Sequence, residues 1–140
     1  TELEVLGAIK YQGNEVLLHT DESVLPTRRR AWAAWNYHLL GGNQTRVPVT
    51  YNMNILQGFD CPQQFCVTLN NSDAIDPSKV LKRMHYQHPV YTPESVAAQA
   101  RQAEINIGRT FYCGAYWRYG FHEDGVVSAL AALKHFEQSL

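Results

Sequence analysis

The stretch from residue 110 to residue 133 constrains the fold of this chain more than any other segment. An apolar run that favours a β-strand, residues 111–113, stops at Gly114. A short aromatic loop follows, and the small residues after Gly125 predict a helix that can lie close against a sheet. A strand that leads through a glycine into the exposed amides of a helix N-terminus is a common way to hold the polar part of a cofactor. The segment therefore predicts a strand, a loop and a helix with a ligand at their junction.

The composition is that of an ordinary globular protein and argues against several classes of partner. The chain has 140 residues, of which 45% are hydrophobic and 18% charged, and this suffices for one core without metals or disulfides. A formal net charge of -1 gives no electrostatic reason to expect nucleic acid as a partner. No apolar stretch approaches the roughly 20 residues that span a bilayer, so we expect no transmembrane segment.

The cysteines and the first residue bear on the origin of the chain. Three cysteines, Cys61, Cys66 and Cys113, lie in apolar or mixed surroundings. An odd number without a disulfide pattern favours a reduced protein of the cytoplasm. The chain begins at Thr1 without a methionine, and we interpret it as a piece of a longer protein.

Apolar runs and turn residues predict an α+β fold with about six strands and two well-supported helices. The predicted strands or extended segments cover residues 3–10, 14–19, 31–40, 47–51, 65–69, 80–91 and 111–113. A glycine turn at Gly13 is expected to join the first two strands, and another turn occupies residues 41–43. Asn52 is expected to cap a short helix over residues 54–57 that Gly58 ends. Thr92 and Pro93 predict the start of a helix over residues 93–104, and the last helix follows Gly125.

Metal and hydrolase sites find little support in the residue pattern. Cys61 and Cys66 lack a second Cys/His pair at a recognised spacing, and His85 and His88 span a predicted strand and a proline turn, so we predict no metal site. A Gly-x-Ser-x-Gly elbow is absent from the sequence, which argues against a serine hydrolase. A nucleophilic Cys113 assisted by His122 stays open as a weaker hypothesis, because a thiol in an apolar strand is more often buried and inert.

Two aromatic clusters stand out, and they differ in what they imply. The first, Trp32, Trp35 and Tyr37, comes from one predicted strand, for which packing in the core is the default interpretation. The second lies in the loop after Gly114 and consists of Tyr116, Trp117, Tyr119 and Phe121. So many aromatic rings on a surface connection imply that they cover a bound ring system or a second domain.

The start of the last helix has two interpretations that the residues alone leave open. Glu123 and Asp124 suit the positive end of the helix dipole without any ligand. Alternatively, the amides of residues 124–127 hold the oxygens of a ligand, and Gly125 permits its close approach.

The order of strand, glycine, aromatic loop, glycine, acidic pair and small-residue helix resembles the C-terminal flavin-contacting segment of the FAD-dependent amine oxidase and phytoene desaturase superfamily. The resemblance covers nearly the whole chain and is strongest to a bacterial branch described as predicted NAD/FAD-binding proteins. It is carried by His19-Thr20-Asp21, by Leu25-Pro26 with the arginines after it, by residues 31–37, 50–54 and 88–91, and by Phe-His-Glu-Asp-Gly at residues 121–125. The expected domains, cofactor contacts and activity are implied by this resemblance and not by composition or spacing.

The resemblance implies a partial substrate-side domain with a mixed or antiparallel sheet over residues 1–92. Residues 93–140 would be the returning helix, strand and C-terminal helix of an FAD-binding domain. The residues expected near the flavin are Gly114, Ala115, Gly120, Phe121, His122, Glu123, Asp124, Gly125 and Val126. Those expected to line the substrate pocket are Trp35, Asn36, Tyr37, Tyr51 and Tyr116. Many amine oxidases have an acidic residue where this chain has Ala115, so a carboxylate contact to the ribityl chain would come from Glu123 or Asp124.

The function implied is that of the C-terminal portion of an FAD-dependent oxidoreductase, transferring hydride from an amine or another apolar substrate to flavin. These residues contain no Gly-x-Gly-x-x-Gly motif, so the N-terminal dinucleotide-binding half is missing and FAD should not bind tightly to this piece alone. We also expect the piece to self-associate through residues 111–121. The alternative is a non-catalytic module that keeps the sheet and binds an apolar small molecule or a partner protein.

Overall fold

The computed structural model describes residues 1–41 and 45–137, and it divides the chain into two compact units. The sheet unit comprises Gly13–Gln87, and the helical unit comprises Thr1–Gln12 together with His88–Leu140. The described residues form five α-helices and a five-stranded antiparallel sheet, so the predicted α+β class is confirmed. The predicted turn at residues 41–43 lies largely outside the described residues.

The strands of the sheet are β1 (Tyr11–His19), β2 (Trp35–Tyr37), β3 (Val49–Asn52), β4 (Cys66–Leu69) and β5 (Val80–Pro89). Across the sheet they lie in the order β2-β3-β4-β1-β5. In the antiparallel registers Trp35 lies opposite Tyr51, Tyr51 opposite Val67, and Val67 opposite Leu18. Because side chains alternate along each strand, these residues share one face, and the residues between them share the other.

The helices are α1 (Glu2–Gly7), α2 (Met53–Gln57), α3 (Pro93–Gln99), α4 (Gln102–Ile105) and α5 (His122–Glu137). The predicted caps of α2 are confirmed: Asn52 accepts from the Ile55 amide, and Gly58 ends the helix at φ 66°. Thr92 caps α3 in a reciprocal capping box with Ser95, as its sequence predicts. The helix predicted over residues 93–104 is interrupted after Gln99 and continues as α4.

The prediction of a strand over residues 3–10 is wrong. Residues 2–7 of this segment form α1, which buries Val5 in the apolar core of the helical unit, and Ile9 just after the helix joins the same core. The predicted turn at Gly13 is also wrong, since β1 runs unbroken from Tyr11 to His19. Asn14 is accommodated inside this strand because the Asn70 side chain donates to its Oδ1 at 2.8 Å.

Two further strand predictions are shortened or replaced. Of residues 31–40, only Trp35–Tyr37 are a strand, and a 3-10 turn occupies Arg29–Ala31. Residues 111–113 are not a strand: the Tyr112 amide donates to Asn106 Oδ1 at 2.7 Å, and the Gln102 amide nitrogen donates to the Tyr112 carbonyl at 2.9 Å. Side chains thus satisfy the backbone groups that a neighbouring strand would have bonded.

The core of the helical unit is a small apolar cluster. Its buried members are Val5, Ile9, Ala98, Ile105 and Trp117. Leu6, Ala8, Tyr112 and Tyr116 pack against them with part of their surface exposed. This cluster positions the aromatic loop, because Trp117 belongs to the 3-10 turn Ala115–Trp117 of that loop.

Candidate functional site

The aromatic loop between Gly114 and α5 begins with a backbone conformation that only glycine adopts readily. Gly114 has φ 156° and ψ 158°, and a Cβ at this position would overlap the ring of Tyr116. The Gly114 amide donates to Ser128 Oγ on α5 at 2.6 Å. Gly114 therefore fixes the loop to the helix, and both its amide and the space beside its Cα are already used within the chain.

The second glycine of the loop has a similar structural role. Gly120 has φ 91°, and a Cβ there would lie 2.7 Å from the Tyr91 hydroxyl. Its amide donates to the Ala115 carbonyl at 3.2 Å, and the Gln99 side chain donates to the Tyr116 and Arg118 carbonyls at 2.9 and 2.7 Å. The loop is held by hydrogen bonds from several directions, so its exposed rings project from a fixed backbone.

Helix α5 begins at His122 and not after Gly125 as predicted. The Phe121 carbonyl accepts from the amides of Asp124 at 3.0 Å and Gly125 at 3.3 Å. The interpretation in which these two amides hold a ligand's oxygens is therefore wrong, because both already have an acceptor. The earlier start follows from Asp124, whose side chain can bond back to the residues before the helix.

The Asp124 carboxylate organises the end of the loop. It is buried, and its Oδ2 accepts from the amides of Tyr119 at 3.2 Å and Phe121 at 3.0 Å. Its Oδ1 lies 3.5 Å from Arg118 Nε. Since these groups occupy Asp124, Glu123 is the carboxylate of this pair that remains exposed.

The nine residues predicted to contact a cofactor thus divide into three groups. Gly114, Gly120 and Asp124 maintain the loop, and Ala115 and Gly125 are half-buried. Exposed to solvent are Phe121, His122, Glu123 and Val126. A Cβ added at Gly125 would meet no atom within 4 Å, so the space beside this glycine is open.

The residues predicted to line a substrate pocket lie on different parts of the fold. Trp35 and Tyr51 contact each other edge to face with ring centroids 5.5 Å apart, and Tyr37 lies on the same sheet face. Trp35 and Tyr37 are more than half exposed, at 54% and 58%. Asn36 faces the opposite side, where it is buried and donates to the carbonyls of Ala33 and Thr50.

Tyr116 belongs to the helical unit, where it packs on the apolar cluster and lies 5.2 Å from the Trp117 ring. Burial, the largest cause, raises the pKa of its hydroxyl. Of the residues predicted to line the pocket, Trp35, Tyr37 and Tyr51 thus share one face of the sheet, and Asn36 lies on the other.

Helix α5 exposes apolar side chains outside its buried side. The buried side carries Asp124, Ser128 and Ala132. The outer side carries Val126, Leu130 and Leu133, each 55% exposed. An apolar groove of about 480 Å³ runs along the helix and is lined by Phe111, Cys113, Ala129, Ala132, Leu133 and Phe136. A helix with apolar residues on more than one side is usually covered on more than one side.

Sequence reasoning missed a row of polar side chains buried under the sheet. His19 Nε2 lies 2.7 Å from Thr68 Oγ1, Thr68 Oγ1 lies 2.7 Å from Thr50 Oγ1, and Thr50 Oγ1 lies 2.7 Å from His38 Nε2. His19, Thr50 and Thr68 are at most 1% exposed. The signal was the period-two placement of polar residues in β3 and β4, which is easily mistaken for a solvent-facing side.

Asp21 continues this row and was also missed as a structural residue. Its carboxylate is buried and accepts from the amides of Ser23 at 3.1 Å and Asp76 at 2.9 Å, and from Lys79 Nζ at 3.1 Å. Although burial alone would raise it, these donors hold the pKa of Asp21 well below its usual range. The His19-Thr20-Asp21 motif thus has a structural explanation.

The cysteines of the described part of the chain are unpaired, and they form no metal site with the histidines there. Cys61, Cys66 and Cys113 are free thiols, and burial raises the pKa of Cys66 to about 11. Cys113 is exposed, contrary to the buried thiol expected of it. Within residues 1–41 and 45–137 no group of three or more His, Cys, Asp or Glu side chains is arranged to hold a metal ion.

Comparison with known proteins adds no assignment to this geometry. No protein-family model matches the chain, and a search of curated proteins finds no match. No described helix has the length and apolar character needed to cross a membrane. The family resemblance therefore stays a prediction that rests on the quoted residues.

Proposed function

We propose that the chain is the C-terminal, substrate-side and flavin-covering portion of an FAD-dependent oxidoreductase similar to the amine oxidases. In this proposal hydride passes from an amine or another apolar substrate to the flavin. The ordered resemblance along the sequence motivates it. The dinucleotide-binding half would be supplied by residues outside this sequence, and no general base is assigned.

The observation that carries the proposal is the apolar outer side of α5. The buried side of this helix packs within the helical unit, and its outer side exposes Val126, Leu130 and Leu133. A surface of this kind is costly to leave in water, at roughly 25 cal/mol per Å² of apolar area. The missing dinucleotide-binding half is the partner that the resemblance supplies for it.

The residues present fit a flavin near the start of α5 only in part. Phe121, His122, Glu123 and Val126 are exposed there, and the space beside Gly125 is open. Gly114, Gly120 and Asp124 contribute indirectly, because their polar groups hold the loop from which Phe121 projects. When bound, the flavin supplies the redox chemistry, and the chain's own residues bind and orient it.

The aromatic side of the sheet supports an apolar substrate in the same proposal. Trp35, Tyr37 and Tyr51 offer ring faces and edges with two phenol hydroxyls at their rims. Rings of this kind bind apolar groups and can also attract the cationic form of an amine. We assign them to substrate contact and not to proton transfer.

The test is an absorbance spectrum of the full-length protein that contains this segment. Flavin bands near about 375 and about 450 nm that bleach with a candidate amine or unsaturated lipid would support the proposal. A colourless protein that FAD does not reconstitute would overturn it.

A matched pair of glycine variants localises the cofactor. Gly125→Ala places a methyl group in open space, so it should leave the fold intact and weaken flavin binding only if flavin approaches there. Gly7→Ala, which also adds its methyl group in open space, is the control away from the site. Equal flavin affinity of the two variants would contradict the assignment of Gly125.

The alternative is a non-catalytic module that binds an apolar small molecule or a partner protein. The groove of about 480 Å³ beside α5 favours it, because its size lies within the range of small-molecule pockets. This alternative would be supported by two results together. An apolar dye binds the isolated chain but binds the Leu133→Gln variant more weakly, and the full-length protein contains no flavin.

Two further inferences belong to the proposal. We infer a reducing compartment such as the cytoplasm, which the three free thiols support. We also infer that the isolated chain self-associates through residues 111–121 and the outer side of α5. A clean monomer in size-exclusion chromatography would contradict the second inference.

A further inference from the structure

The buried polar row under the sheet is a continuous chain of hydrogen bonds between two histidines. It starts at His19 on β1, passes through Thr68 on β4 and Thr50 on β3, and reaches His38 just after β2. Each link is 2.7 Å long. His38 is half-buried, whereas the other three side chains are buried.

The direction of this chain is set at one end by a backbone amide. The Asp21 N–H donates to His19 Nδ1 at 3.1 Å, so this nitrogen is an acceptor and carries no proton. A neutral imidazole then carries its proton on Nε2 and donates it to Thr68. Every hydrogen in the row then has an acceptor within it only if Thr68 donates to Thr50 and Thr50 donates to His38 Nε2.

We propose that His19, Thr68, Thr50 and His38 form one directional hydrogen-bond relay, polarised by the Asp21 amide, which acts as a pH-sensitive lock on the sheet. The relay holds both histidines neutral in opposite tautomers, with the proton on Nε2 in His19 and on Nδ1 in His38. Protonation of either histidine leaves one buried hydrogen of the relay without an acceptor and loosens the sheet unit. This inference is independent of the flavin proposal.

The sensitivity to pH follows from where the additional proton of a cationic histidine would lie. A cationic His38 has an N–H on Nε2 that faces the hydroxyl hydrogen of Thr50. Reversal of the Thr50 hydroxyl alone would restore that contact, but the Thr68 hydroxyl hydrogen would then lose its acceptor. Reversal of both hydroxyls would place the His19 proton on Nδ1, where it would face the Asp21 N–H. In every arrangement five hydrogens share four contacts, so one buried donor is left without an acceptor.

The charges around the relay do not offset this loss. Burial, the largest cause, lowers the pKa of His19, and the nearby Asp21 carboxylate opposes it only in part. Asp21 is itself paired with Lys79, and the other titratable groups close to it are Asp76, Glu22 and the neutral thiol of Cys66. At His38 burial alone lowers the pKa.

The first test reads the tautomers directly in the 140-residue chain by ¹H–¹⁵N NMR of the imidazole rings. At about pH 7.5, where an ordinary histidine is mostly neutral, we expect a protonated Nε2 in His19 and a protonated Nδ1 in His38. A protonated Nε2 in His38, or a cationic ring in either residue, would overturn the proposal.

The second test removes one link while keeping its shape. In the unaltered chain, His19 and His38 should titrate together and in parallel with loss of the sheet's amide signals as the pH falls below about 6.5. Thr50→Val should separate the two titrations and move the His38 midpoint upward, whereas Thr50→Ser, which keeps the hydroxyl, should preserve the coupling. Thr27→Val, at an exposed threonine, is the control.

Identical titrations in Thr50→Val and Thr50→Ser would contradict the relay. If the valine variant does not fold, two results still test the relay. The unaltered chain should show the two tautomers given above, and Thr68→Ser, which keeps the hydroxyl, should preserve the coupled titration. A His38 whose tautomer is mixed while His19 keeps its proton on Nε2 would also show that no relay joins them.

Discussion

Both units of this chain bury apolar side chains, and the sheet unit in addition buries a connected row of polar ones. Under the sheet, the buried row is polar and includes His19, Thr50 and Thr68, with Asp21 at its end. The core of the helical unit is apolar and centres on Ile105 and Trp117. In the first unit, buried hydrogen bonds specify which residues pair, and in the second, packing does so without directional constraint.

The units also differ in what they leave exposed. The sheet unit presents Trp35 and Tyr37 on one face of its hydrogen-bonded sheet. The helical unit exposes a whole side of α5, including Leu130 and Leu133. The contrast is between a sheet unit whose buried polar row is hydrogen-bonded within the unit and a helical unit that leaves an apolar helix surface exposed.

The largest effect is expected from truncation in the apolar core. Trp117→Ala removes the largest buried ring of the helical unit and should lower the free energy of unfolding by about 3 to 5 kcal/mol. Trp35→Ala is the matched control, because Trp35 is half exposed, and it should cost about 1 kcal/mol or less. Denaturant titration of both variants measures their free energies of unfolding. Equal losses would contradict the assignment of Trp117 to the core and of Trp35 to the surface.

Backbone strain at the loop should give the next effect. Gly114→Ala forces a side chain into a backbone region reserved for glycine and against the Tyr116 ring, so we expect a loss of about 2 to 3 kcal/mol. Gly125→Ala is the control within α5, where it should raise stability by up to about 1 kcal/mol. Thermal unfolding monitored by circular dichroism would detect opposite shifts, and shifts of the same sign would contradict the role given to Gly114.

Removal of the Asp21 charge in the sheet unit should lower the free energy of unfolding by a somewhat smaller amount. Asp21→Asn replaces the carboxylate that accepts from Ser23, Asp76 and Lys79, and we expect a loss of about 2 kcal/mol at neutral pH. Because the folded pKa of Asp21 is depressed, its contribution is present above the unfolded pKa of about 4 and is lost as the pH falls further. The difference between Asp21→Asn and the unaltered chain should therefore shrink as the pH drops below about 4.

The control for this prediction is Glu22→Gln, which breaks the exposed pair with Arg29. That pair should contribute less than about 0.5 kcal/mol. A cost for Asp21→Asn as small as that of Glu22→Gln would mean that the Asp21 bonds do not hold the sheet unit together.

The smallest effect on stability is expected on the outer side of α5. Leu130→Gln replaces an exposed apolar side chain and should change the free energy of unfolding by less than about 0.5 kcal/mol. It should nevertheless reduce self-association of the isolated chain, measured by sedimentation velocity. Lys82→Gln, at an exposed position of the sheet unit, should leave association unchanged, and equal effects of the two variants would contradict the assigned surface.

The parts of the fold that could be predicted from the sequence are those set by neighbouring residues. Asn52 and Gly58 bound α2, and Thr92 begins α3, because each cap needs only the chemistry of adjacent residues. The helix at residues 2–7 was missed because its apolar stripe is only two turns long and also fits a strand.

The candidate site was predicted less completely. The aromatic loop and its glycines were located correctly in the sequence, but the part Asp124 plays was not. A carboxylate near a helix start is compatible with a cap, a ligand contact or solvent, and only the loop amides brought beside it select among these. The polar groups of the loop thus bond to one another and hold the backbone from which Phe121 projects.

By itself the sequence determined the α+β class, the helix caps, a strand within residues 80–91 and the unusual aromatic loop, because these depend on local propensity and short-range hydrogen bonds. Only the tertiary structure decided that residues 111–113 bond to Asn106 and Gln102 instead of to a strand, and that two histidines join through Thr68 and Thr50. The reason is that these groups are distant in sequence. Their pairing depends on strand register and helix position, which no single segment encodes.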